Sequence, residues 1–172
     1  SAFDESPSPR VYGEDAAPSG KAAFEAHLGS TFPLTTPGSS GTVSTEKSPF
    51  GFALDVAYPR VSPAGVEELL TAAAAGMRGF REIGPAGRVG VCLEILHRLH
   101  GRIFELANAV QHTSGQAFVM AFQAGGAHAL DRALESVAYA WTAMTQVPAS
   151  AVWEKPAKGE PLRMEKTFTV VP

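Results

Sequence analysis

The segment Ala127-His128-Ala129-Leu130-Asp131-Arg132-Ala133-Leu134-Glu135-Ser136-Val137-Ala138-Tyr139-Ala140-Trp141-Thr142-Ala143-Met144-Thr145 decides the fold class. Leu130, Leu134, Val137, Ala138, Trp141 and Met144 fall at helical spacing and make one apolar stripe. Asp131, Arg132, Glu135 and Thr142 lie off that stripe. Such a helix is amphipathic and must bury its apolar face against a neighbour. Leu134 and Trp141 are therefore expected in the core. Pro148 closes the helix, because proline has no N–H and fixes φ.

The same period continues upstream. Ser62-Pro63 is a cap followed by a first-turn proline, with Glu67 and Glu68 soon after. Leu69, Leu70, Ala73, Ala74 and Met77 follow at helical spacing. Gly84-Pro85 restarts the chain, and Val89, Leu93, Leu96 and Leu99 form a second stripe. Gly101 is expected to break or bend it, at a cost of roughly 1 kcal/mol relative to alanine. Ile103, Leu106, Ala107 and Val110 form a third stripe, stopped at Gly115. A short apolar helix from Ala117 to Ala124 should end at Gly125-Gly126.

Beyond Pro148 the period becomes two. Leu162, Met164, Phe168 and Val170 alternate with Arg163, Glu165, Thr167 and Thr169. With Val152-Trp153-Glu154-Lys155 across the turn Pro156 to Pro161, this predicts a β-hairpin with a half-buried strand from Leu162 to Val171. A lone hairpin is marginal in water and should dock on another surface.

The first third is different. Eight of the thirteen prolines fall in residues 1–63. Ser6-Pro7-Ser8-Pro9 and Thr35-Thr36-Pro37-Gly38-Ser39-Ser40-Gly41 are turn chemistry. One short helix is expected near residues 19–28, with Ser19 as its cap and Gly29 after its end. Phe24, Phe32, Phe50, Phe52 and Tyr58 argue that the segment packs rather than drifts. The expected organisation is a largely irregular arm over 1–61, a helical region over 62–147 and a hairpin over 148–172. The fold class is mainly α, a helical layer with a C-terminal β-hairpin.

Composition narrows the function. The chain has 172 residues, 45% apolar and 18% charged, with a net charge of −3. No basic excess is present to engage phosphate backbones, so nucleic acid is a poor partner. No apolar run approaches the ~20 residues of a membrane span. One cysteine, Cys92, excludes an internal disulfide and a cysteine-rich zinc site. The chain opens on Ser1, with no secretory signal pattern, and reads as a cytoplasmic piece of something longer.

No active site emerges from spacing. Cys92 lies within a helix between Val91 and Leu93 and reads as a small core residue, not a nucleophile. His97 and His100 share a helix face but lack a third ligand. Gly84-Pro85-Ala86-Gly87-Arg88-Val89-Gly90 opens a helix, where phosphate can bind. It is neither GxGxxG nor GxxxxGK, and no strand runs into it. His112, Ser114 and Asp131 are the residue types of a hydrolase triad with nothing to bring them together. Arg98 and Arg102, near His97 and His100, read as a solvated basic face.

Several strings resemble a known family. Arg88-Val89-Gly90-Val91-Cys92-Leu93-Glu94-Ile95-Leu96, Phe104-Glu105-Leu106-Ala107 and Thr113-Ser114-Gly115-Gln116 resemble the N-terminal helices of aldehyde dehydrogenases. Ala138-Tyr139-Ala140-Trp141 is similar to the end of the following family helix. A finer resemblance is to the PaaN-type branch, associated with phenylacetic acid degradation. It rests on Pro9-Arg10-Val11-Tyr12-Gly13-Glu14, on Ser48-Pro49-Phe50-Gly51-Phe52-Ala53-Leu54 and on the run Gln116 to Gly126. Trp153-Glu154-Lys155-Pro156 and Pro161-Leu162-Arg163-Met164-Glu165-Lys166 complete it.

The resemblance implies the N-terminal part of an α/β aldehyde-dehydrogenase-like fold, within a longer parent. That parent would oxidise an aldehyde with NAD or NADP through a cysteine thiohemiacetal. An asparagine and a backbone N–H would hold the oxyanion, and a glutamate would activate water. The resemblance places all these residues, and the cofactor's, beyond Pro172. No catalytic, cofactor-binding or metal residue is carried over, and Cys92 does not match the nucleophile. The piece alone is expected to bind no cofactor and to be inactive. Its partners would be the rest of the parent chain and further copies, joined through the hairpin 152–171. The rival expectation is a self-contained helical interaction or oligomerisation module without enzymatic activity.

Overall fold

The computed structural model describes residues 1–31, 37–46 and 56–170. Its elements run α1 (Pro9–Tyr12), α2 (Ala16–Glu25), β1 (Ser39–Glu46), β2 (Val56–Val61), α3 (Pro63–Glu82), α4 (Gly84–His100), α5 (Ile103–Ser114), α6 (Phe118–Phe122), a π-helical turn (Gln123–Ala127), α7 (His128–Thr145), β3 (Ser150–Lys155) and β4 (Leu162–Thr167). The architecture is mainly helical, with two small antiparallel hairpins.

Local signals place some of the helix ends. The Ser62 hydroxyl accepts from the Gly65 amide at 3.0 Å and starts α3, with Pro63 in its first turn. α4 stops at His100, and Gly101-Arg102 separates it from α5. Gly115 ends α5 in the left-handed region, at φ +75°, which a side chain would resist.

The first third is more regular than its prolines suggest. It holds α1, capped by the Ser8 hydroxyl, then α2, then the β1–β2 hairpin. Ser19 does not cap α2 but lies inside it, because the helix begins at Ala16. Asp15 occupies the cap position, and the Asp15 carbonyl accepts from the Ser19 amide at 3.0 Å. Pro18 fits there because the first-turn amides need no helical acceptor. Ser39, Ser40 and Gly41, expected in a turn, open β1, whose register shifts between Ser39 and Val43. Phe32, Phe50 and Phe52 lie outside the described residues.

Gly125-Gly126 does not end a helix. The chain runs from α6 through a π turn into α7. A Cβ on Gly125 would lie 2.6 Å from Val110 Cγ2, and one on Gly126 would lie 2.6 Å from Ile103 Cγ1. The glycine pair lets α5 approach the turn closely, a packing role that looks like a stop in sequence.

The core forms where α4, α5, α6 and α7 meet. Leu96, Ile103, Phe104, Ala107, Phe122, Ala127 and Leu130 are buried together. Phe122 is 0% exposed and Ile103 2%. Each fully buried side chain of this size contributes about 1.5–3 kcal/mol. α2 packs on α5, with Phe24 buried, and α4 packs on α7.

Large apolar faces lie outside that core. Leu134 is only half-buried, and Trp141, expected in the core, is 42% exposed. The core covers one end of the α7 stripe, and α4 covers the other only in part, leaving Trp141 largely wet. Leu93 and Leu99 of α4 are exposed, as are Val66, Leu70 and Met77 of α3. The C-terminal hairpin has the expected antiparallel register, with Trp153 opposite Met164. Its strands are exposed throughout, so β4 is not half-buried. Among the described residues no helix is long and apolar enough to cross a membrane.

Candidate functional site

Arg88 is the most elaborately held charge in the described chain. It lies in the first turns of α4 and is 6% exposed. Its Nε donates to the Phe80 carbonyl at 3.1 Å, and Nη2 donates to Val170 at 2.9 Å and to Arg81 at 3.4 Å. Nη1 faces the Met144 sulfur at 3.7 Å, and the guanidinium lies 6.0 Å from the Phe80 ring centroid. A buried charge without partners is costly, and here backbone carbonyls supply them. Arg88 thus satisfies carbonyls at the end of α3 and pins the segment after β4. It is an anchor between three parts of the chain rather than a reacting group. The signal for it was an arginine set among apolar residues, Val89, Val91 and Leu93.

Beside Arg88 runs an open apolar groove of about 440 Å³ between α4 and α7. Cys92 lines it with Val89, Val137 and Met144. Cys92 is only half-buried, so it belongs to the groove wall and not to the core.

The other sequence candidates separate. The Ser114 hydroxyl donates to the Val110 carbonyl at 2.6 Å. Asp131 instead accepts from the Ser1 hydroxyl and from the Ala2 amide, the latter at 2.8 Å. Those bonds hold the Asp131 carboxyl below its usual range. His112 is buried against the Phe24 ring, 5.3 Å between centroids. No triad assembles from these three residues. The basic cluster is neutralised in place. Arg98 pairs with Glu94 at 2.7 Å, and Arg102 pairs with Glu105 at 2.5 Å. Glu105 also meets His27 Nε2 at 3.2 Å, linking α5 to the chain after α2. His97 is exposed, while the His100 ring lies tilted against those of Phe3 and Tyr12. Among the described residues no group of three His, Cys, Asp or Glu side chains is placed to hold a metal ion.

A dinucleotide needs a glycine-rich turn between a strand and a helix, beside a parallel strand. Here Gly84-Pro85 joins helix α3 to helix α4. Both described sheets are two-stranded and antiparallel. The Gly84-Pro85 junction therefore lacks that arrangement among the described residues, and no chemical step is assigned to it.

This set of helices and C-terminal hairpin is similar to that of an aldehyde dehydrogenase. The solved protein in question is the NAD-dependent aldehyde dehydrogenase from Burkholderia multivorans. It is 55% identical over 100% of this chain, with a TM-score of 0.90. The match covers 30% of that protein, so the chain spans about three tenths of its length. No protein-family model matches the chain, and no curated protein does. The resemblance to the aldehyde dehydrogenase superfamily thus holds along the whole chain, in sequence and in fold.

Proposed function

We propose that this chain is the N-terminal portion of an NAD(P)-dependent aldehyde dehydrogenase of the PaaN type, acting in the cytoplasm in phenylacetate breakdown. The observation that carries the proposal is the 55% identity to an NAD-dependent aldehyde dehydrogenase over every residue of the chain. The exposed apolar faces of α3, α4 and α7 support it, because apolar faces of that extent mark sites of contact with further protein. The parent oxidises an aldehyde to the acid, with the ring-opened semialdehyde held as a coenzyme A thioester as the favoured substrate. NAD is the favoured acceptor, since the solved relative is NAD-dependent. The nucleophile and the cofactor groups belong to the rest of the parent, and this piece is inactive alone.

The hairpin is the proposed contact between copies. Trp153, Leu162, Met164 and Phe168 are all exposed on it. Trp153 stands opposite Met164, and Lys155 opposite Leu162. In a strand alternate residues share a face, so Leu162 and Met164 line one side of β4 with Trp153 across from Met164. The same exposure supports the second reading, an oligomerisation module with no enzymatic parent.

The coding sequence downstream of Pro172 separates the two. An open frame continuing into a catalytic cysteine supports the enzyme, and a stop codon supports the module. Within the enzyme reading, the expressed full-length protein should oxidise the semialdehyde thioester faster than simple aliphatic or aromatic aldehydes. Equal rates would remove the phenylacetate assignment and leave the aldehyde dehydrogenase.

A further inference from the structure

The groove between α4 and α7 is chemically selective. Val89 and Cys92 of α4 line it, with Val137, Ala140 and Met144 of α7. The polar groups on its wall are already engaged. The Ser136 hydroxyl donates to the Arg132 carbonyl of its own helix at 2.9 Å. The Arg88 guanidinium directs its donors at the Phe80, Arg81 and Val170 carbonyls and at the Met144 sulfur. A polar metabolite or a nucleotide would lose its water here with little to replace it. Apolar side chains carry no such penalty and gain by leaving water.

The chain itself leads into this groove. Val170 is half-buried on its wall, and Arg88 Nη2 holds the Val170 carbonyl at 2.9 Å. The wall that α7 offers, from Ser136 to Met144, is about 12 Å long at the helical rise. Roughly four residues of extended chain span that distance. The solved aldehyde dehydrogenase matches every residue of this chain, and the match takes up only 30% of that protein.

We propose that this groove is the seat of the stretch directly following Pro172 in the parent enzyme, an extended segment whose aliphatic side chains cover Cys92 and Ala140. The inference rests on the reading of this chain as the front of a longer enzyme. It adds which surface the rest of the parent covers first, and with what. Tethering favours this segment over a second copy. A segment joined a few residues away meets the groove at an effective concentration of roughly millimolar order. A second copy meets it only at its concentration in solution and loses translational freedom on docking. Arg88 sets the point of entry, because its bond to Val170 fixes the chain just before that stretch begins.

The product of the uninterrupted gene tests this through its own Cys92. Alkylation of Cys92 by N-ethylmaleimide, followed peptide by peptide by mass spectrometry, should be at least about tenfold slower in the folded protein than in the same protein in urea. A leucine-sized diazirine side chain in place of Met144 should cross-link, on irradiation, to the stretch directly beyond Pro172 in the same chain. Cys92 alkylated as fast as in urea overturns the proposal. So do cross-links to a later part of the chain or to a second copy. The alkylation needs no substitution, so it decides the matter even where the diazirine disturbs folding. A stop codon at Pro172, or a longer product without aldehyde-dependent NADH formation, removes the enzyme reading and this inference together. An active product with Cys92 open, or with cross-links elsewhere, removes this inference alone.

Discussion

Nη2 of Arg88 donates to the carbonyl oxygen of Val170 at 2.9 Å, across 82 residues of sequence. One buried cation therefore joins the end of α3, the start of α4 and the segment after β4. Hydrogen bonds to charged groups contribute about 1.5–3 kcal/mol each, and losing the donor leaves carbonyls unsatisfied. Arg88→Met keeps most of the volume and removes the donors. Denaturant unfolding should show a loss of about 2–4 kcal/mol, within the range for breaking a buried network. An unchanged midpoint would mean that water replaces the guanidinium without cost.

Two glycines on helices should respond to alanine with opposite signs. A Cβ on Gly20 of α2 would collide with Phe104 Cβ and lie 2.9 Å from the Glu105 amide nitrogen. One on Gly76 of α3 would meet nothing within 4 Å. Alanine gains roughly 1 kcal/mol over glycine in a helix interior. Gly76→Ala should therefore stabilise α3 by up to that amount, read by thermal melting. Gly20→Ala should instead cost about 1–3 kcal/mol through overpacking. A stabilised Gly20→Ala would show that α2 does not pack on α5 this closely.

The core should be found at one end of the stripes only. Phe122→Ala should cost about 3–5 kcal/mol, as for a fully enclosed aromatic. Trp141→Ala should cost below about 1.5 kcal/mol in the 172-residue chain, since much of its surface is already wet. Similar costs at the two positions would place the centre of packing further along α7.

Acid should loosen the α2–α5 seam. The Arg102 guanidinium, by hydrogen bond and then by charge, holds the Glu105 carboxyl below its ordinary range, and His27 adds to this. A carboxylate lowered by folding stabilises the fold above its unfolded pKa. That contribution is lost as pH falls through the folded value. The loss should therefore begin below the ordinary carboxylate value of about 4.3. Thermal midpoints followed from neutral pH downward should fall less steeply in Glu105→Gln. Identical slopes would show that Glu105 does not contribute to acid sensitivity.

Much of the helical layer was legible because its ends carry local chemistry. Ser62-Pro63 starts α3, Gly115 stops α5, and alternation at Leu162 to Thr167 gives the β4 strand. What was not legible depends on contacts made at a distance. Pro18 hides the start of α2, because proline marks both breaks and first turns. Gly125-Gly126 looks like a stop until Val110 and Ile103 are seen against it. Periodicity names the apolar face of α7 but not whether anything covers it, so Trp141 was expected inside. The role of Arg88 depends on Val170, and no local pattern links residues so far apart. Spacing left Ser114, His112 and Asp131 unconnected, and in the fold they face separate partners. The likeness to an aldehyde dehydrogenase was legible only as a resemblance of whole strings, since no spacing in these residues encodes a reaction.

The most direct measurement is aldehyde-dependent NADH formation, compared between the purified 172-residue chain and the product of the uninterrupted gene. We expect turnover from the longer product and none from the chain alone. NADH formation by the 172-residue chain, or none from a longer product that folds and carries the catalytic cysteine, would contradict its assignment as the front portion of an aldehyde dehydrogenase.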